Sequence, residues 1–407
     1  MRYAADLHMH SHHAKAVSKN MTLETMALYG RRKGIDVMAT GDCLQPAWLA
    51  HLEECLIPDE PGWFAPTPEV EMAIADRLPL RLRAPIRFVL STEVNCVPSG
   101  TGEMRGIHHL LYFPSFASVK AFQKRVSLHG DLNEGRPTLR LTSSELLQLV
   151  LEHGRDCHFA PAHVMNPYFS SLGSQTRHET LEEIFGDLTP RLLAVEMGLT
   201  SIPTMCRRIS SLDAHSLFAC SDAHSPENIG RECTLLETEP GYAPLFAALR
   251  RGAIQEVLGC LKFSIHRTRY FQNWCSRCKT SYADAACPKG HGRLAAGSRD
   301  WLEQIADRPQ AIALPNTPRF RMYLPLRQLL AEFLQVGPKS KRVGDLHDQL
   351  LQRIGHERFI LTKAPFEELA RGSSESLAHA ITAQRTADPG QPIAIKPAHA
   401  AQSELAL

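Results

Sequence analysis

The chain of 407 residues has no long apolar run, so nothing in it reads as a signal peptide or a membrane-spanning helix. The expectation is a soluble, cytoplasmic protein with no membrane partner. It also lacks a dominant charge, because 45 Lys and Arg face 43 Asp and Glu for a net charge of +2. A global field that would gather polyanions is therefore excluded, and any nucleic-acid contact has to come from local basic patches. The 11 cysteines are scattered except for one cluster, which excludes a disulfide framework and leaves reduced thiols plus one metal-type constellation. There is no internal repeat. Length alone allows two or three domains with a core that needs no covalent staples.

What is present begins at once, in Asp6-Leu7-His8-Met9-His10. A strand alternates its side chains with period two, so His8 and His10 share one face and make half a metal site. Further ligand-type residues follow or end apolar runs: Asp42 in Ala-Thr-Gly-Asp, Glu93 in Leu-Ser-Thr-Glu-Val, His109 in His-His-Leu-Leu, His163 in Pro-Ala-His, and Asp222 with His224 in Ser-Asp-Ala-His. An α/β barrel gathers strand ends at one mouth, where ligands distant in sequence can meet. His108, His153, His178 and His215 are expected to satisfy only local hydrogen bonds.

Short apolar segments alternate with helical patterns through residue 265, as βα repeats do. Strands are expected near 3–8, 35–40, 86–92, 107–113, 157–161, 192–197 and 217–221, and helices near 22–33, 116–125, 142–153, 178–185, 203–211 and 242–251. Residues 52–85 are rich in Pro and acidic residues and read as a long loop or insertion at the mouth. Tyr168, beside Phe169 in the segment after His163, could stack on a base or simply pack in its loop. Glu196 could orient a ligand or pair with a neighbour.

Beyond residue 265, Cys275-x2-Cys278 is followed by Cys287 and His291, a spacing that lets two short loops present four ligands to one tetrahedral zinc. Arg267, Arg269, Arg277, Lys279, Lys289, Arg293 and Arg299 surround it with positive charge. Leu326–Leu334 and Val343–Ile354 read as amphipathic helices joined by a basic turn that carries Lys339, Lys341 and Arg342. Residues 386–407, with spaced Pro and many Ala, read as a disordered tail.

The ligand pattern resembles the polymerase and histidinol phosphatase (PHP) superfamily of metal-dependent phosphoesterases. Longer stretches narrow the resemblance: Ala16 to Asn20, Gly41 to Trp48, Ile184 to Pro190 and Ser221 to Glu232 are similar to the endonuclease Q branch, up to about residue 385. That likeness implies a fold of class α/β, a PHP-type distorted (β/α)7 barrel over 1–265, with a zinc-binding module at 266–300 and a helical DNA-contacting domain at 301–385. It implies that His8, His10, Glu93 and Asp222 hold one metal, that Glu93 bridges to a second held by His109 and His163, and that Asp42 and His224 serve a third. Glu93, Asp222 and His224 would then be catalytic, with two or three divalent ions (Zn, Mg or Mn) in the barrel and one structural Zn.

Two departures from the family pattern are visible. The zinc cluster ends Cys287-Pro288-Lys289-Gly290-His291-Gly292, where relatives carry Cys-Pro-x-Cys-Gly, so its fourth ligand is changed and shifted by one residue. After the His-x-His pair, where many PHP enzymes carry a further metal ligand, stand His12, His13 and Lys15. Lys15 or Lys19 could grip a phosphate or lie in solvent, and Arg231 could clamp a phosphate or pair with a nearby acid. The implied activity is cleavage of a DNA phosphodiester on the 5′ side of deaminated or abasic nucleotides, with damaged duplex DNA as partner and a repair helicase or sliding clamp as further candidates. The alternatives are a PHP phosphatase or exonuclease on small phosphate esters or DNA ends, and a non-catalytic DNA-binding scaffold.

Overall fold

The computed structural model describes residues 1–59, 62–98, 106–388 and 390–397. The first half contains β1 (Arg2–Asp6), α1 (Leu23–Lys33), β2 (Val37–Ala39), α2 (Pro46–Cys55), β3 (Leu56–Pro58), β4 (Phe64–Pro66), α3 (Pro68–Ala75) and β5 (Arg87–Cys96). Then come β6 (Ile107–Phe113), α4 (Phe116–Val126), β7 (Thr138–Leu139), α5 (Ser143–His153), β8 (His158–Pro161), α6 (Glu182–Phe185), β9 (Val195–Glu196), α7 (Pro203–Cys206) and β10 (Leu217–Phe218). The chain continues through β11 (Cys233–Glu237), α8 (Tyr242–Arg251), β12 (Val257–Phe263), β13 (Asn273–Cys275), β14 (Thr280–Tyr282), α9 (Ser298–Ile305) and β15 (Phe320–Tyr323). Five helices close it: α10 (Leu326–Leu334), α11 (Lys341–Arg353), α12 (Glu357–Thr362), α13 (Phe366–Gly372) and α14 (Glu375–Thr386).

This is a mixed α/β fold around a central sheet ordered β15-β12-β11-β1-β2-β5-β4-β3, from which β6 and β7 branch on β5 and β8 on β6. The parallel pair β9 and β10 and the hairpin β13–β14 stand apart from it. Each of the seven expected strand positions carries a strand. Helices cover the core with local signals that match their sequence: Thr22 caps α1, Gly34 ends it in the left-handed conformation at φ 80°, and Thr142 with Glu145 forms a capping box on α5.

Several expectations need correction. Residues 52–85 are no plain loop: β3 and β4 form a hairpin that joins the sheet through Phe64 opposite Phe88, and α3 follows. The expected helices at 178–185 and 203–211 shrink to the short α6 and α7, each continued or followed by 3-10 turns. The region 301–385 is not wholly helical, because β15 pairs in parallel with β12 in the main sheet. The tail is ordered at its start, since Ile393 is buried and His266 Nε2 donates to the Gly390 carbonyl at 2.7 Å, while 398–407 lie outside the described residues.

The C-terminal helices are fastened to α1 by buried charge. Lys33 Nζ lies 2.8 Å from Glu357 Oε2, His347 Nε2 lies 3.3 Å from the same oxygen, and the Leu326 backbone N–H donates to Glu357 Oε1 at 3.0 Å. Arg358 adds hydrogen bonds to the Gly34 carbonyl and to Asp36. Burial alone would push the Glu357 carboxyl up, but Lys33 and His347 outweigh it and hold the group well below its ordinary 4.5. A depressed carboxylate contributes stability that is present above the unfolded value and lost as pH falls below it. Glu357→Gln is therefore expected to destabilise the protein by about 3 kcal/mol near neutral pH. Urea melts should show the gap to wild type narrowing toward about pH 3; a constant gap contradicts the ion-pair account.

Candidate metal centre and its cleft

The centre is built by strand parity. Met9 bridges Ala223 in parallel, and His10 N donates to the Ala223 carbonyl at 3.1 Å. The residues on either side of that bridge, His8 and His10 on one strand and Asp222 and His224 on the other, therefore turn to the opposite face together. On the neighbouring strands β5 and β6, Glu93 opposes Leu110, Asn95 opposes His108 and Val94 opposes His109. Directly opposed residues share a face, so His108 lies on the face of Glu93 and His109 on the other.

That register corrects one expected ligand. His109 is fully buried behind the sheet, with its ring against Phe159 and its Nε2 2.7 Å from Ser143 Oγ. His108, expected to serve only local bonding, instead stands with Nδ1 2.9 Å from Glu93 Oε1, and His163 Nε2 lies 3.0 Å from the same oxygen. Across Glu93, His8 Nε2 and His10 Nε2 lie 3.5 and 3.4 Å from Asp222 Oδ1 and 3.5 and 3.3 Å from the two Glu93 oxygens. Two triads result, His8/His10/Asp222 and Glu93/His108/His163, with Glu93 between them. His8 Nε2, His10 Nε2, His108 Nδ1 and Asp222 Oδ1 are buried without a hydrogen bond among the described residues, a costly state unless a cation engages them. First-row ions bound at about 2.0–2.2 Å leave neighbouring ligand atoms roughly 3–3.5 Å apart, so the donor set fits.

Behind the facing atoms stands an outer layer. His8 Nδ1 donates to Glu196 Oε1 at 3.0 Å, and Glu196 also accepts the His163 backbone N–H at 2.7 Å. His10 Nδ1 donates to Asp42 Oδ1 at 3.0 Å, while Asp42 Oδ2 accepts both the backbone N–H and the hydroxyl of Ser11 at 2.7 Å. A carboxylate can only accept, so in its neutral form each imidazole carries its proton on Nδ1 and aims the Nε2 lone pair inward. Asp42, expected as a ligand, thus stands behind His10 with both oxygens engaged. Burial pulls the His8 imidazole down, yet Glu196, Asp222 and Glu93 around it outweigh that effect and raise it to about 9. His224 packs its ring 4.7 Å from His10, half-buried, with Nδ1 2.9 Å from the Asp222 carbonyl.

Backbone strain accompanies the site. Asp42, His163 and Asp222, each just beyond a strand, have φ of 49°, 32° and 46°, a conformation that costs about 1–3 kcal/mol per residue. Gly198 makes one such turn possible, because a Cβ there would lie 2.4 Å from that of His163.

A cleft of about 560 Å³ opens onto His163, Asp222 and His224 and is walled by Arg231, Arg267, Arg269 and Tyr270. Asn228 also lines a second hollow of about 1280 Å³ that reaches Ser18, Arg327 and Lys339. Arg231 gives its guanidinium to the carbonyls of Ser221 and Asp222, not to Glu232, which pairs instead with the buried Lys262. Lys15 is exposed and ion-paired to Glu134 at 2.6 Å; Lys19, Lys279, Lys341 and Arg342 are exposed. Tyr168 is half-buried against Tyr270, and the outward ring is Phe169, which is 44% exposed and stacks on His108 at 4.7 Å. One residue escaped sequence reasoning entirely: Arg136 reaches Glu93 Oε2 at 3.1 Å from the loop between α4 and β7. That loop is seated by Gly135, whose Cβ would stand 2.6 Å from Asp42 Oδ2.

Away from the cleft, His291 Nδ1 lies 3.5, 3.2 and 3.6 Å from the sulfurs of Cys275, Cys278 and Cys287, and Cys278 Sγ lies 3.6 Å from Cys287 Sγ. A tetrahedral zinc with bonds of about 2.3 Å to sulfur and 2.0–2.1 Å to nitrogen would set these separations near 3.5–3.8 Å. The shifted histidine can therefore close the site.

The fold and the buried ligand cluster define an α/β protein with a candidate metal centre at its strand ends. The family described as the MJ0043 C-terminal domain matches residues 325–388. The uncharacterized protein YqxK of Bacillus subtilis is 26% identical over 381 residues, covering 90% of each chain. The uncharacterized protein MJ0043 of Methanocaldococcus jannaschii is 27% identical over 164 residues, 40% of this chain and 16% of that protein. Among solved structures, the lesion-specific endonuclease PfuEndoQ from Pyrococcus furiosus superposes with a TM-score of 0.80 at 29% identity, over 95% of this chain and 91% of that one. Endonuclease Q bound to a 27-mer duplex with an abasic lesion at the active site gives 0.81 at 28% identity, over 95% and 92%. Over nearly its whole length the chain is thus similar to solved endonuclease Q structures.

His108→Ala is expected to lower the bound divalent metal by one ion per chain. His109→Leu should leave the metal in place and cost about 1–3 kcal/mol of stability, because Ser143 loses its buried partner. Metal analysis beside urea melts reads both, and the reverse pattern would restore His109 as the ligand.

Proposed function

We propose that the protein is a metal-dependent DNA endonuclease that nicks damaged duplex on the 5′ side of deaminated or abasic nucleotides. The observation that carries this reading is the pair of buried triads sharing Glu93, in a chain that superposes over 95% of its length on a solved lesion-specific endonuclease. His8, His10, Asp222 and Glu93 would hold one divalent ion, and Glu93, His108 and His163 a second, with His224 at the open edge. Divalent cations there supply Lewis acidity and charge neutralisation to a phosphodiester. The chain's own residues do the rest. Glu196 and Asp42 fix the imidazole tautomers, and Arg231 holds the backbone that carries Asp222. Arg136 uses one donor on Glu93, and its remaining N–H groups, with no partner among the described residues, are free to grip a phosphate oxygen.

In this reading residues 1–265 form the PHP-type catalytic unit, and the Cys275/Cys278/Cys287/His291 module holds one zinc. The basic groups along the two hollows, Arg267, Arg269, Arg327 and Lys339 among them, track the DNA backbone, with Lys279, Lys341 and Arg342 beside them. A nucleotide leaving the stack costs a few kcal/mol, less where the base is mispaired or missing, which gives lesion preference a physical source. Phe169, exposed beside the centre, is placed to stack on such a nucleotide.

End-labelled duplexes carrying deoxyuridine, hypoxanthine, an abasic site or no lesion test the proposal, each with magnesium, manganese or chelator. One metal-dependent cut 5′ to the lesion is expected, abolished by Asp222→Ala and slowed by roughly a hundredfold in Arg136→Ala as lost transition-state contacts are. Cutting that ignores the lesion, or survives Asp222→Ala, contradicts it. The zinc module has its own check: Cys275→Ser should release one zinc ion per chain, and unchanged zinc content rejects it.

A further inference from the structure

Away from both clusters, Glu24, His51 and Cys55 bring a carboxylate oxygen, an imidazole nitrogen and a thiol sulfur within 4.8 Å of one another. His51 and Cys55 lie four residues apart on α2, so they stand one above the other on a single helix face. Glu24 enters from the first turn of α1. Cys55 Sγ lies 3.6 Å from His51 Nε2 and 3.7 Å from Nδ1, within reach of either imidazole nitrogen.

Two further features separate this group from accidental neighbours. Among the described residues the Glu24 side chain makes no hydrogen bond and no ion pair, so a half-buried carboxylate faces an imidazole and a thiol with no Lys or Arg partner. The His51 ring is also held in place, packed at 5.3 Å on Trp48, whose indole N–H donates to the Gly41 carbonyl at 2.9 Å. All three ligands sit on or at the end of regular helices, which suits a preorganised site. Sulfur, nitrogen and oxygen in one set select a borderline ion such as Zn²⁺ over Mg²⁺ or Ca²⁺.

We propose that Glu24, His51 and Cys55 form a separate zinc site that ties the first turn of α1 to the last turn of α2, with its fourth position open to solvent. Bound zinc would brace α2 behind Trp48 and Gly41, the segment that leads directly into Asp42. Because it binds the folded chain, zinc at this site raises stability by mass action.

The test uses the full chain equilibrated with Zn²⁺ at one fixed free concentration, with zinc content and circular dichroism measured together. Wild type is expected to retain one zinc ion per chain more than His51→Ala or Cys55→Ser, at unchanged helicity. Glu24→Gln, on a solvent-facing helical turn, should weaken that zinc by at least the roughly tenfold that lost outer partners cost a metal site. In Co²⁺-loaded protein, Cys55→Ser should remove part of the thiolate-to-cobalt absorption while the part due to Cys275, Cys278 and Cys287 persists. Equal zinc content in wild type and all three variants overturns the proposal, as does cobalt absorption indifferent to Cys55. Neither readout uses nicking, so the result stands apart from the endonuclease reading.

Discussion

The carboxylate of Glu93, only 1% exposed, faces His8, His10, His108, His163 and Arg136. A buried charge is tolerable only when its partners are brought to it, and those partners come from three strand ends and a loop. Burial works against the ionised form, yet His108, His8 and His10 outweigh it and hold the group well below the usual carboxylate range. The rest of the amino-terminal half can be seen as the scaffold that assembles this one environment.

The scaffold works by parity and by a supporting layer. The Met9–Ala223 bridge turns two pairs of ligand-type residues to one side, and the β5–β6 register selects His108 over His109. Glu196 and Asp42 then fix the two leading imidazoles from behind, the usual way a protein sharpens ligand orientation. Left-handed backbone at Asp42, His163 and Asp222 is the local cost of aiming side chains from strand ends into a shared space.

How much of this could be read from sequence follows from the same physics. His8 and His10 were legible because period two is intrinsic to a strand, and Cys275, Cys278, Cys287 and His291 because a short-loop chelate is a local matter. His108 was not, since two adjacent histidines have opposite parity and only the pairing register of β5 with β6 decides between them. Arg136 carried no signal at all, being a loop residue whose place is set by Gly135 against Asp42 and Ala14. Asp42 was legible as part of the site but not as an outer partner, because residue type does not distinguish the two layers. The strand β15 hid behind Pro318 and Pro325, and the packed start of the tail behind its Pro and Ala content, where tertiary contact with His266 overrides composition.

If the proposed function holds, Glu93 should lie between two ions on one face of the sheet. Anomalous diffraction at the manganese edge from crystals grown with Mn²⁺ tests it most directly. Two peaks flanking Glu93, one among His8, His10 and Asp222 and the other between His108 and His163, are the predicted result. Manganese peaks elsewhere, at His109 in particular, or a single peak that leaves His108 and His163 without a neighbour, would contradict it.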